Sequence, residues 1–339
     1  MAADVTFIPS LWLRNPHLQT MWDNVSCRRV RETALGTVCT TKDIPTSDGD
    51  LIRIHYSRNS NEPPRAIVVI LHGLTGCADA PNILATASKA HARGFAVVRV
   101  DLRNALADCP SRYLGHAGRS EDLRSILNHF LRTTHCCPIT IIGYSLGGNI
   151  ALKAAGEYGG RAPDRLVAVV GISVPIDLDE AATAIDKRGN TIYRRYFLAR
   201  LRCIYARRQE HHPNYYPNMD LQILRTLRAW DTAVVAPLCG FDSAEDYYAR
   251  SSSLASISDI AVPTLLIHAR DDPLVPFRTF EHPALRNNAD VGLLAPRWGG
   301  HIGFIGSSRS IRLDPDCHWA ENRAVEFCAA RAKLQLPAT

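Results

Sequence analysis

Short runs of consecutive apolar residues alternate along this chain with segments whose apolar positions recur at helical spacing. Residues 66–71 (AIVVIL), 94–101 (GFAVVRVD), 139–142 (ITII), 165–172 (RLVAVVGI), 262–268 (VPTLLIH) and 291–295 (VGLLA) are of the first kind. Such runs, without polar alternation, are what strands buried on both faces require. Helical spacing covers residues 81–93 and 121–132, where Leu123, Ile126, Leu127 and Phe130 share one face and Ser120 is placed to cap the start. A further helix is expected after residue 145, carrying Ile150, Ala151, Ala154 and Ala155. This alternation predicts an α/β fold with a mostly parallel central sheet flanked by crossover helices. Loops at the carboxyl ends of its strands should converge on a site. Residues 42–56 differ: an alternating strand follows a Ser47-Asp48-Gly49-Asp50 turn, which reads as an antiparallel hairpin.

The alternation stops over residues 178–253, which hold helical patterns, many tyrosines and the arginines Arg194, Arg195, Arg200, Arg202, Arg207 and Arg208. A strandless stretch of ~75 residues is too long for a connection and predicts a helical cap insertion over the strand ends. Tyr193, Tyr196, Phe197, Leu198, Tyr247 and Tyr248 are expected to line its underside, with the arginines on a solvated face. The sharper alternative is a surface for anionic substrates or lipid headgroups. Residues 7–22 (FIPSLWLRNPHLQTMW) are unusually apolar, so residues 1–25 should form an N-terminal arm docked on a single domain spanning 1–339. Arg14, Asn15 and His17 in that arm read either as capping groups or as a polar cluster near a site.

Composition narrows the function classes. The 339 residues are 46% hydrophobic and 21% charged, which suits one large α/β domain. The net charge of +6 is interspersed with acids and forms no stripe, so no nucleic-acid partner is expected. No stretch reaches the ~18 apolar residues of a membrane span and no signal segment opens the chain, which points to the cytoplasm. Contact with a lipid surface would therefore be peripheral, through the cap. Nothing in the sequence marks an oligomeric interface. The ten cysteines form no CxxC pair, so free, mostly buried thiols are expected rather than a metal or redox site. His211 and His212, adjacent in the cap, lack metal-ligand spacing and are expected at the surface.

The chemistry centres on Gly143-Tyr144-Ser145-Leu146-Gly147-Gly148, a G-x-S-x-G turn between a strand and a helix. Such a nucleophile elbow holds its serine in a strained conformation above the sheet, with glycines where a Cβ would collide with neighbouring backbone. The Leu146 N–H would face an oxyanion formed at Ser145, and the His72-Gly73-Leu74 turn could add the N–H of Leu74. His72 itself is expected to hold that loop rather than move protons. Asp271 and Asp272 follow a buried strand, where a carboxylate can orient an imidazole. Asp272 is favoured, with Asp271 as the alternative. His301, among glycines after the last strand, is free of local bulk and can reach the serine.

Serine, acid, histidine is the chain order of the α/β-hydrolase triad. Over essentially its full length the chain resembles the α/β-hydrolase superfamily, and within it the YheT-like subfamily related to ABHD1/ABHD3-type hydrolases. The resemblance rests on the elbow, the HGLTG and GGHIGF segments, Asn15-Pro16-His17-Leu18-Gln19-Thr20, and the stretch from Ala236-Pro237-Leu238 to Asp246-Tyr247-Tyr248. It implies a serine hydrolase of carboxylic or lipid esters, with Ser145, Asp272 and His301 as the charge-relay set and no cofactor or metal. An acyltransferase on the same acyl-enzyme and a non-catalytic binding module are the alternatives. One departure is Leu102-Arg103-Asn104-Ala105, where the subfamily usually has an Arg-Gly-Cys-like turn, so a differently shaped pocket wall is expected there.

Overall fold

The computed structural model describes residues 7–25, 38–59, 62–103, 105, 110–134, 136–307 and 314–334. After helix α1 (Pro16–Val25), strands β1 (Val38–Pro45) and β2 (Leu51–Arg58) form the expected hairpin, turning at Gly49 with φ 76°. Then follow β3 (Ile67–Leu71), α2 (Pro81–Ala92), β4 (Ala96–Asp101), α3 (Ser120–Thr133), β5 (Ile139–Tyr144), α4 (Leu146–Tyr158) and β6 (Leu166–Ile172). The strands join one eight-stranded sheet in the order β1-β2-β4-β3-β5-β6, completed by β7 (Thr264–Ile267) and β8 (Val291–Leu294). Only β2 runs against its neighbours.

The uninterrupted apolar runs have a direct physical reason. Successive strand residues point to opposite faces, and both faces are covered. Ile67, Val69 and Leu71 join the core under α3 and α4, while Val68 and Ile70 join the core under α2 and α11 (Trp319–Arg331).

Between β6 and β7 lie α5 (Leu178–Asp186), α6 (Thr191–His211), α7 (Leu227–Trp230), a π-helical turn Asp231–Val235, α8 (Ala236–Cys239) and α9 (Ala244–Ser251), with no strand. A short helix α10 (Pro283–Arg286) precedes β8. No described helix is long and apolar enough to cross a membrane.

Several local expectations are corrected. Ser120 does not cap α3; its hydroxyl donates to Glu157 on α4, tying the two helices together. The arginines of α6 are largely not a solvated face. Arg208 is buried and donates to the carbonyls of Ser111, Tyr113 and Arg103. Arg202 donates to those of Leu221 and Leu224, and Arg194 to that of Asp186. A guanidinium satisfies several carbonyls at once, so these side chains tie irregular backbone to the helix. Arg195 and Arg207 are exposed. Of the described cysteines only Cys137 and Cys328 are buried, while Cys39, Cys136 and Cys203 are exposed.

Candidate active site

Ser145 sits between β5 and α4 at φ 49° and ψ −118°, a conformation that costs a non-glycine residue about 1–3 kcal/mol. Close packing enforces it. A Cβ on Gly143 would lie 2.6 Å from the Gly147 carbonyl oxygen, and one on Gly147 would lie 2.5 Å from that of His72. Glycine at both positions lets β5, the β3 exit and α4 meet at the serine, whose own N–H donates to the Ile172 carbonyl at 2.8 Å.

His301 lies between Ser145 and Asp272. Its Nε2 is 3.1 Å from Ser145 Oγ, and its Nδ1 is 2.9 Å from Asp272 Oδ2. The other oxygen of Asp272 accepts the N–H groups of Leu274 and Val275 at 2.8 and 3.0 Å, which aims the carboxylate and leaves it one free edge. Asp271 instead accepts the N–H of Gly300 at 2.9 Å, and burial pushes its carboxyl upward. Behind Asp272 lies His268, wholly buried and stacked on Phe280 with centroids 4.0 Å apart. Burial pushes its pKa down to about 4, so the ring is neutral and its Nε2–H donates to the Val275 carbonyl. Its Nδ1 has no hydrogen-bond partner among the described residues and stays 4.0 Å from Asp272 Oδ2.

The loop carrying His301 is held by three side chains that sequence reasoning missed, two on α1 and one after β6. The N–H of His301 donates to Thr20 Oγ1 at 2.8 Å, and that of Ile302 donates to Ser173 Oγ at 3.0 Å. The N–H of Ile305 donates to Gln19 Oε1, while Gln19 Nε2 returns a bond to the Ile305 carbonyl. The N-terminal motif thus has a physical role. Asn15 caps α1 by accepting from the N–H groups of His17 and Leu18, which places buried Gln19 and Thr20 against the loop. A Cβ on Gly300 or Gly303 would come within 2.4 Å of α1 backbone oxygens. Arg14 and His17 make other contacts: Arg14 lies over Trp298, and His17 bonds and stacks with Tyr193.

Thr20→Val would leave the His301 N–H unpaired at an expected cost of about 1–3 kcal/mol of stability. Loosening of the imidazole should lower kcat about tenfold. Melting and turnover of Thr20→Val beside Thr20→Ser check this, since serine restores the acceptor.

The N–H groups of Leu74 and Leu146 make no hydrogen bond to any described residue, and both residues line the cavity at Ser145. His72 fixes the loop bearing Leu74. Its Nδ1–H donates to the Gly73 carbonyl at 2.7 Å and its Nε2 accepts from the Leu102 N–H at 3.1 Å, while burial lowers its pKa and keeps it neutral. Asp101 anchors the far side of that loop by accepting from the Ala78 N–H.

The cavity, counted with its open mouth, is about 930 Å³. Its walls are mostly apolar, and Leu201, Ile204, Trp230 and Val235 from the segment between β6 and β7 line it together with Ser145. Phe197, Tyr247 and Tyr248 line it as expected, whereas Tyr196 is exposed and Tyr193 is taken up by His17. Of the connection from Asp101 to α3, residues 114–117 line the cavity, whereas Leu102, Arg103 and Ala105 do not. Arg103 is instead buried among Asp48, Asp50 and Asp122, and Asn104 lies outside the described residues.

Away from the cavity, Asp316, His318 and Glu321 bring side-chain ligand atoms within 4.8 Å of one another, but the Lys89 ammonium bonds both carboxylates at 2.7 and 2.8 Å and supplies the positive charge there. His211 is exposed, its Nδ1 bonded to the Arg207 carbonyl.

A parallel sheet with one reversed strand, a strained serine on the strand-to-helix turn and an acid and histidine following in that order define the α/β hydrolases. The chain belongs to that family, matching the alpha/beta hydrolase fold over residues 66–306. Within it the chain is YheT-like: it is 31% identical to the putative esterase YheT of Escherichia coli, covering 96% of this chain and 94% of that protein. It is 24% identical to the phospholipase ABHD3 of Mus musculus, covering 77% of this chain and 65% of that one. A Pyrococcus furiosus esterase, Pf2001, shares the fold with a TM-score of 0.57 at 18% identity, covering 97% of this chain and 98% of its own.

Proposed function

We propose that this carboxylic ester hydrolase works through an acyl-enzyme on Ser145. The observation that carries the reading is the unbroken hydrogen-bonded line from Asp272 through His301 to Ser145 Oγ, at the floor of an apolar cavity. His301 takes the serine proton as Oγ attacks the ester carbonyl. Asp272 keeps the other ring proton on Nδ1 and stabilises the imidazolium that forms. The N–H groups of Leu74 and Leu146 receive the tetrahedral oxyanion, a contribution of about 3–4 kcal/mol per donor in comparable sites. His301 then returns its proton to the leaving alcohol, and the same steps with water release the acid. The α5–α9 segment serves as a cap, and the arm ending at α1 fixes the histidine loop.

The apolar walls and the phospholipase relative support acyl or lipid esters as substrates. The test is labelling of the intact protein with a fluorophosphonate, with peptide mapping of the adduct. The adduct is expected on Ser145, with loss of p-nitrophenyl ester turnover in proportion, and an adduct elsewhere would overturn the assignment. Product analysis with added alcohols separates hydrolysis from acyl transfer.

A further inference from the structure

The cavity at Ser145 carries polar side chains, His116 and Asp231, that the steps above do not use. His116 Nδ1 accepts the N–H of Gly118 at 3.1 Å, so the ring proton resides on Nε2. Burial pushes the pKa of this ring down to about 3, which keeps it neutral with a single N–H. No described residue accepts from that N–H. Asp231 opens the π-helical turn, a distortion that re-aims side chains and recurs at functional sites. Its Oδ2 accepts the Tyr248 hydroxyl at 2.7 Å, and its Oδ1 is engaged by no described residue. Burial raises this carboxyl to about 7, with Asp186 adding to the rise.

Both groups line the cavity, and aromatic contacts link them: the Tyr247 ring is 5.9 Å from the His116 ring and 5.3 Å from the ring of Tyr248, the partner of Asp231. Tyr247 is itself fixed, its hydroxyl accepting the Ala117 N–H. A donor and an acceptor thus open into a cavity walled by leucine, isoleucine and tryptophan side chains, where a substrate group can meet them.

We propose that His116 and Asp231 form a polar subsite that reads a hydroxyl group carried by the ester at a distance from its scissile carbonyl. A hydroxyl seated at His116 accepts from its Nε2–H, and one seated at Asp231 donates to its carboxyl. An ammonium cannot accept, and an alkyl chain can do neither. The substrate class narrows from plain acyl esters to hydroxylated ones, with the hydroxyl on the acyl chain or on the alcohol. The subsite deepens the Ser145 reading and rests on it.

The test compares kcat/KM of the wild-type protein on matched pairs. One arm sets medium-chain p-nitrophenyl esters against their hydroxyacyl counterparts; the other sets alkyl esters against glycerol monoesters. At least one hydroxylated series should be favoured about tenfold, the worth of one well-met buried hydrogen bond. That ratio should fall to unity or invert in Asp231→Leu and His116→Phe, with each ratio taken within one protein so that overall losses cancel. Preference for the unhydroxylated partner throughout both arms would overturn the proposal. Calorimetric affinity of the Ser145→Ala protein for fatty acids and hydroxy fatty acids repeats the comparison without turnover. Absence of a hydroxyl preference there removes the subsite, whereas a preference in binding beside undiminished Ser145→Ala turnover removes the serine reading alone.

Discussion

Ser145→Ala is expected to lower kcat for acyl esters by about 10⁶-fold, the loss seen when the nucleophile of an intact charge-relay set is removed. The fold should survive. Among the described residues the only side-chain hydrogen bond of Ser145 is to His301 Nε2, so alanine removes little packing, and the strained backbone is imposed by Gly143 and Gly147 rather than by the hydroxyl. Turnover would not vanish entirely, because the open N–H groups of Leu74 and Leu146 should still polarise a bound carbonyl toward water. The measurement is steady-state turnover of a p-nitrophenyl ester with circular dichroism and melting on the same preparation. A folded variant retaining a tenth of wild-type turnover would exclude Ser145 as the nucleophile.

The parts of this site legible in the sequence were those encoded by local pattern. The run from 139 to 155 specifies strand, tight turn and helix through its own residue order, and the packing at Gly143 and Gly147 follows from how small that turn must be. The support of His301 was not legible, since its hydrogen bond to Thr20 joins residues 281 positions apart. No periodicity encodes such a contact, and the NPHLQT segment reads equally well as an arm with its own caps. Ser173 escaped for another reason. It adopts φ 51° at the end of β6, yet its Ser-Val-Pro setting resembles any strand exit. The arginines of α6 misled because composition reports charge and not the carbonyls that irregular backbone leaves unpaired. Arg208 meets those of three loop residues only once the fold has brought Arg103, Ser111 and Tyr113 alongside the helix.

The adjacent aspartates yield the second large effect, because one substitution made at each position should have opposite consequences. In Asp272→Asn the amide oxygen can keep the N–H bonds of Leu274 and Val275, which puts the NH₂ where Oδ2 meets His301 Nδ1. Two donors cannot face each other, so the ring proton moves to Nε2, and the imidazole can no longer accept from Ser145. The expected fall in kcat is about 10⁴-fold with the geometry nearly unchanged. His268 cannot compensate, since its Nε2–H is committed to the Val275 carbonyl and its neutral ring offers Asp272 only a lone pair. Asp271→Asn keeps an oxygen for the Gly300 N–H and replaces a buried Oδ2, which no described residue meets, with an amide nitrogen. Its effect passes only through the placement of the histidine loop, so kcat should fall by no more than about tenfold. Rates for both proteins on one ester at neutral pH decide the matter, and a larger loss at 271 than at 272 would assign the orienting carboxylate to the other aspartate.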